Sequence, residues 1–164
     1  MGQLFVGRLD TPVGAIGVLA GPAGVRRVGW RLNASGASPQ PDETVQQAVG
    51  QLREYFAGSR RDFDLPLAWP RLEPVTAAVL RALMGVGYGE TVTYGELALR
   101  SGIGIPARAI GSIMAANPWP IVVPCHRVVA AAGLGGYSGG ERGHELETKR
   151  WLLETEGALP PVLI

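Results

Sequence analysis

The chain has 164 residues, 46% of them hydrophobic and 18% charged, which is an ordinary globular composition and excludes wholesale disorder. No apolar run approaches the roughly 18 residues that a membrane helix requires, so no membrane partner is expected. Fifteen Lys and Arg against 14 Asp and Glu leave a net charge of +1, and the two halves barely differ, so bulk electrostatics does not announce a nucleic-acid partner.

Three short β-rich segments open the chain, Gln3–Leu9, Val13–Ala20 and Gly24–Leu32, separated by Thr11-Pro12 and by Gly21-Pro22-Ala23-Gly24. Their punctuation predicts an antiparallel meander. Residues 33–41 are rich in Ser, Ala, Gly and Pro without periodicity and read as a loop. From Asp42 to Ala57 the apolar Val45, Ala48, Val49, Leu52, Tyr55 and Phe56 recur at helical spacing, with Asp42 as cap and Gly58 as stop. After the Pro-punctuated Leu65–Pro74 the character changes, and a domain boundary is expected near residues 66–73. The expected domains are residues 1–70, β-rich with one helix, and residues 71–164.

Glu73-Pro74 opens a second helix with the stripe Val75, Ala78, Val79, Ala82, Leu83 and Val86. Two short helices follow, Tyr94–Arg100 and Pro106–Ala116, joined by Ser101-Gly102-Ile103-Gly104-Ile105. This is the outline of a helix-turn-helix, although most such helix pairs bind nothing. Asn117-Pro118-Trp119-Pro120 ends the second of them, and an apolar run leads into Pro124-Cys125-His126-Arg127-Val128-Val129. The glycines between Gly133 and Gly140 imply a loop with positive φ or close backbone approach. A final helix is expected over His144–Glu156, with Leu146, Lys149, Trp151, Leu152 and Leu153. The fold class is therefore α/β in the α+β sense: a small N-terminal antiparallel sheet with a helix, then a mostly helical C-terminal domain.

A lone cysteine is ordinarily a small buried hydrophobe. Cys125 has neighbours that change the reading, because a histidine and an arginine beside a thiol can lower its pKa and maintain a nucleophilic thiolate. A Cys/His pair needs a third group to orient the imidazole, and the carboxylates nearest in sequence are Glu147, Glu154 and Glu156. Spacing does not choose among them, and each reads equally well as part of a solvated helix face. Cys125 has no partner for an internal disulfide, and with His126 and His144 as the only histidines no metal or other cofactor is expected. The opening MGQLFVGRLD lacks a basic segment followed by an apolar one, so secretion is not expected and a reducing, cytoplasmic setting is.

The string Ile121–Val129 around Pro-Cys-His-Arg resembles the active-site signature of the O6-alkylguanine-DNA alkyltransferases, or methylated-DNA–protein-cysteine methyltransferases. Tyr88–Ala98, Ala107-Arg108-Ala109-Ile110-Gly111, Asn117-Pro118, Gly136–Gly140 and Lys149–Gly157 resemble further strings of that family in the same order. The resemblance implies direct-reversal repair of double-stranded DNA containing O6-alkylguanine, by a protein acting as a monomer and consumed in one turnover. It implies that Cys125 accepts the alkyl group, that His126 takes the thiol proton through an ordered water, and that Glu156 orients His126. Asn117 would brace the turn, and Tyr94 would donate a hydrogen bond to the departing base. Arg108 would fill the gap left when the nucleotide is rotated out of the duplex, because the reacting carbon cannot be reached in a stacked helix. Ala107, Gly111 and Ser112 would let the helix approach DNA closely. Tyr137 and Ser138 would close the base pocket near Met114, with the carbonyls of Cys125 and Val128 reading the base's amino group.

Two features depart from that pattern. Ile103-Gly104-Ile105-Pro106 lacks the lysine common there, and Glu141–Thr148 is longer than the family's usual connection. Two other readings compete: a cysteine hydrolase, whose partners are usually distant in sequence, and a non-turnover lesion-binding module on the same fold, whose members lack the acceptor cysteine.

Overall fold

The computed structural model describes residues 2–159, which divide into two compact units between Arg71 and Leu72. In the first, β1 (Phe5–Thr11), β2 (Gly14–Gly21) and β3 (Gly24–Gly29) form an antiparallel sheet in the order β1-β2-β3. The central strand is buried continuously from Ile16 to Ala20. A central strand covered on both faces needs apolar residues without alternation.

The first strand lies two residues later than its composition suggests. Thr11 carries the turn itself, its hydroxyl donating to the Gly14 carbonyl at 2.6 Å and accepting from the Val13 amide at 3.1 Å. The third strand stops before Trp30, whose indole N–H instead donates to the Val13 carbonyl at 3.0 Å. The loop over residues 33–41 is not free of the sheet, since Ser38 bridges to Phe5 and exchanges backbone bonds with Leu4 and Val6.

Helix α1 (Glu43–Phe56) is capped by Asp42, whose carboxylate accepts from the Val45 amide at 3.1 Å. Its buried stripe is Val45, Ala48, Leu52 and Tyr55, and it packs on β1 and β2. Gly7 permits the close approach, because a Cβ there would fall 2.5 Å from Val45 Cγ1.

The second unit holds α2 (Pro74–Leu83), β4 (Val92–Thr93), α3 (Tyr94–Ser101), α4 (Ala107–Ala115), a single 3-10 turn at Cys125–Arg127, β5 (Val128–Val129) and α5 (Glu145–Thr155). Helix α2 packs against both α3 and α4, burying Val79, Leu80 and Leu83. Val75, placed on that stripe by spacing, is 40% exposed, and Leu146 of α5 is likewise turned outward. Both lie in the first turn of their helix, before the packed part begins. Helices α3 and α4 are joined through Gly102 and Gly104, both at φ 70°, the conformation that ends a helix at little steric cost.

Strands β4 and β5 pair in parallel, Val92 with Val128 and Thr93 with Val129. This two-residue ladder ties the start of α3 to the segment carrying Cys125. Thr93 also caps α3: its hydroxyl accepts from the Glu96 amide, and the Glu96 carboxylate accepts from the Thr93 amide, both at 3.1 Å. Replacing Thr93 by Ala is expected to cost about 1 kcal/mol in denaturant unfolding, with Thr93→Ser retaining most of the stability.

Candidate active site

Asn117 ends α4 and organises the turn that follows. Its amide nitrogen donates to the Val123 carbonyl at 2.8 Å, and its carbonyl accepts from the Trp119 amide at 3.0 Å. The Val123 amide donates to the Trp119 carbonyl at 2.8 Å, closing a tight loop around a fully buried tryptophan. Within this loop Ile121 has φ 75°, the left-handed region that a β-branched residue rarely adopts. Its side chain is 1% exposed, so packing holds the strain. The Cys125 amide then donates to the Val123 carbonyl at 2.8 Å, and the 3-10 turn carries Cys125, His126 and Arg127, all buried, into β5.

Cys125 lies in the wall of a cavity of about 120 Å³, together with Tyr94 from α3, Gly111 and Met114 from α4, and Gly136, Tyr137 and Ser138 from the glycine loop. The Tyr94 hydroxyl accepts from the Gly136 amide at 3.2 Å, which leaves its own proton available to a ligand. Gly135, at φ 74°, lets the loop pass there, since a Cβ would fall 2.8 Å from the Tyr94 oxygen. The Tyr137 ring lies over Gly139, where a Cβ would fall 2.5 Å from it. Ala107, Arg108 and Ser112 are exposed on α4.

The three candidate carboxylates separate in space. Glu147 meets His144 at 3.2 Å on the surface, and Glu154 meets Arg150 at 3.6 Å. Glu156 is buried and accepts from His126 Nε2 at 2.7 Å. Arg127 grips the same carboxylate, Nε donating to Oε1 at 2.8 Å and Nη2 to Oε2 at 3.1 Å, while the Gly89 amide donates to Oε1 at 3.3 Å. Burial alone would raise the Glu156 pKa. The hydrogen bonds from His126 and Arg127 and the charge of Arg127 outweigh burial and take it down to about 2, so the group is a carboxylate. Burial holds His126 below its ordinary pKa. The neutral ring therefore donates through Nε2–H, and Nδ1 is a lone-pair acceptor with no hydrogen-bond partner among the described residues.

The thiol departs from the lowered pKa that its neighbours suggest. Burial pushes Cys125 up to about 11, against the Asn117 side chain and the Lys149 charge, which pull the other way. At neutral pH it is a thiol, and a base is required to make it a nucleophile.

Arg127, which the sequence places beside the thiol, turns instead to Glu156, and Lys149 is a site residue that the sequence does not single out. Lys149 is fully buried, donating to the Val128 carbonyl at 2.6 Å and the Gly136 carbonyl at 2.8 Å, with burial lowering its pKa to about 8. The available signal was a charged residue on the packed stripe of α5, three and four positions before Leu152 and Leu153. The carbonyls suggested for base recognition are already engaged, that of Val128 by Lys149 and that of Cys125 by the Val128 amide. No cluster of three or more His, Cys, Asp or Glu side chains suited to a metal occurs among the described residues.

A helix-turn-helix unit whose cavity exposes one thiol, backed by an imidazole and a carboxylate, defines a thiol group-transfer protein of the DNA-binding type. The 6-O-methylguanine DNA methyltransferase models match residues 74–158 as the DNA binding domain and residues 4–69 as the ribonuclease-like domain. The chain belongs to this family. It is 40% identical over 154 residues to a DNA base-flipping protein of Thermus thermophilus, covering 92% of this chain and 99% of that one. It is 39% identical over 159 residues to the methylated-DNA–protein-cysteine methyltransferase of Mycobacterium tuberculosis, covering 93% and 92%. The crystal structure of M. tuberculosis OGT in complex with DNA superimposes with a TM-score of 0.81 at 36% identity, over 94% of this chain and 93% of that one.

Asn117→Ala would remove one of two donors to the Val123 carbonyl, which keeps the Cys125 amide, and the acceptor of the Trp119 amide. The expected cost is about 1–3 kcal/mol, measured by denaturant unfolding. Asn117→Asp, which still accepts from Trp119 but cannot donate to Val123, should fall between the two.

Proposed function

We propose that this protein reverses O6-alkylguanine damage in double-stranded DNA by moving the alkyl group irreversibly onto its own Cys125. The observation that carries this reading is the chain's only thiol, placed in a cavity wall next to an imidazole whose far side is fixed by a buried carboxylate. The Sγ–carbon bond forms as the carbon–O6 bond breaks, and the departing guanine keeps the electron pair of that bond. The thiol proton passes to His126 Nδ1, through a water in the reading that the family suggests. Glu156 holds the ring and its tautomer. Tyr94, its hydroxyl already accepting from Gly136, directs its proton toward the base and stabilises the charge that develops there. A thioether has no leaving tendency toward water, so the protein acts once.

In this reading residues 71–164 carry both DNA binding and alkyl acceptance, and residues 1–70 form a separate β-rich domain. All the reacting groups come from one copy, which suits a monomer, and a permanently reduced thiol suits the cytoplasm. Among the described residues no helix is long and apolar enough to cross a membrane. Tyr137 and Ser138 bound the base site with Met114. The relative named as a DNA base-flipping protein favours a second reading, rotation of the damaged nucleotide without transfer. The presence of Cys125 favours transfer.

Incubation with a duplex carrying one O6-methylguanine should add one methyl to the intact protein, on the peptide containing Cys125, with no second turnover. Cys125→Ala should bind the duplex and remove nothing. Methyl loss from DNA by that variant, or binding without any mass change in the unaltered protein, would refute transfer to Cys125.

DNA contact on α4 rests on little charge. Arg108 is the single charged residue of that helix, and Ala107, Ala109, Gly111 and Ser112 keep the exposed surface low enough for backbone and van der Waals contact. With few phosphates neutralised, the salt slope of duplex binding should be shallow, about −2 to −4 on a log–log plot. Arg108→Ala should slow repair of duplex DNA, because the space vacated by the rotated nucleotide is left unfilled. A slope steeper than about −6, or an unchanged repair rate, would contradict this.

A further inference from the structure

Arg127 is buried and spends all its charge inside the site. Nε and Nη2 reach opposite oxygens of Glu156, Nη1 donates to the Val86 carbonyl at 2.7 Å, and the Tyr88 ring centroid lies 5.8 Å from its guanidinium carbon. A guanidinium can form this planar double contact and an ammonium cannot. The same carboxylate also accepts from His126 Nε2 at 2.7 Å.

This arrangement fixes how charge is shared. A buried carboxylate facing an imidazole alone would draw a proton onto the ring, because an imidazolium is then the available countercharge. Arg127 already supplies that countercharge. The other charged group acting on His126 is Lys149, a second cation, and the adjacent Cys125 is uncharged at rest. A proton on His126 would therefore set three positive charges against one negative one inside the fold.

We propose that Arg127 is a positioning residue for alkyl transfer: as the countercharge held against Glu156 it keeps His126 an uncharged base through neutral pH, with hydrogen on Nε2 and an open lone pair on Nδ1. This rests on the assignment of Cys125 and His126 in the proposed function. Imidazolium then forms only as the thiol gives up its proton to Nδ1 and the sulfur–carbon bond is made, and the ring returns that proton to solvent afterwards. The lowered pKa of His126, caused first by burial and opposed by Glu156, has Arg127 and Lys149 on the lowering side.

The test is the pH profile of single-turnover methyl transfer from about pH 5.5 to about 9 for the unaltered protein, Arg127→Gln and Arg127→Lys. In Arg127→Gln the acid limb should move up by about one pH unit or more, roughly a tenfold loss near pH 6 with little loss near pH 8.5. Arg127→Lys keeps the charge, so its limb should stay in place even if its plateau falls. A uniform loss at every pH in Arg127→Gln, or the same shift in Arg127→Lys, would show that Arg127 only holds the fold and would overturn the proposal. Absence of transfer by the unaltered protein would instead overturn the reading of Cys125. Should Arg127→Gln fail to fold, nitrogen NMR of histidine-labelled unaltered protein decides independently of activity. His126 should remain the neutral Nε2–H tautomer at about pH 6. An imidazolium signal for His126 at about pH 7 would refute the proposal.

Discussion

The second unit depends on one buried carboxylate. Glu156 sits just past the end of α5 and receives His126 and Arg127 from the 3-10 turn and the Gly89 amide from the segment that leads to β4. Three pieces of chain far apart in sequence meet at two oxygen atoms. A charge at that depth is tolerable only because every direction around it is filled by a donor, and removing any donor leaves desolvated charge behind. The carboxylate therefore orders the turn bearing the thiol, and the same bonds set the tautomer of the base beside it. Structure and chemistry share one constraint here.

A second tension lies between burial and reactivity. Burial raises the thiol and lowers the imidazole, so each is uncharged at rest. An uncharged pair is compatible with the apolar surroundings provided by Val123, Val128, Leu152 and Leu153. Ionisation is then confined to the moment when a reaction partner is present to accept the charge. Lys149, fixed between the Val128 and Gly136 carbonyls, contributes a nearby positive charge and joins β5 to the glycine loop. The strained Ile121 and the Asn117 brace serve the same end, since both force the chain to reverse just before the thiol.

Helix α4 is built differently. It offers small residues and one arginine, and the β4–β5 ladder fixes the start of α3, so that Tyr94 joins Cys125 in the cavity wall. In the proposed reading, a DNA contact with so little charge depends on shape more than on phosphate. It would also carry few groups that could read a base sequence, which suits a protein proposed to meet its lesion in any context.

Much of this was written in the chain itself. Helical spacing located α1, α3, α4 and α5 to within a residue or two, because apolar period, cap and stop are local properties: Asp42, Thr93 and the glycines at 102 and 157 act on their immediate neighbours. The Pro-Cys-His-Arg string marked the candidate nucleophile and its candidate base for the same reason, being contiguous. Which glutamate serves the histidine was not legible from the residues, since Glu147, Glu154 and Glu156 share one helix and its end, and only packing decides which carboxylate is turned inward. The parallel β4–β5 pair, the double grip of Arg127 and the interior position of Lys149 join residues 21 to 41 positions apart. Such contacts have no periodicity to betray them, and charged residues carry a strong prior for the surface. The thiol's pKa was misjudged on the same ground: neighbours in sequence argue for a thiolate, whereas desolvation is a property of the whole fold and outweighs them.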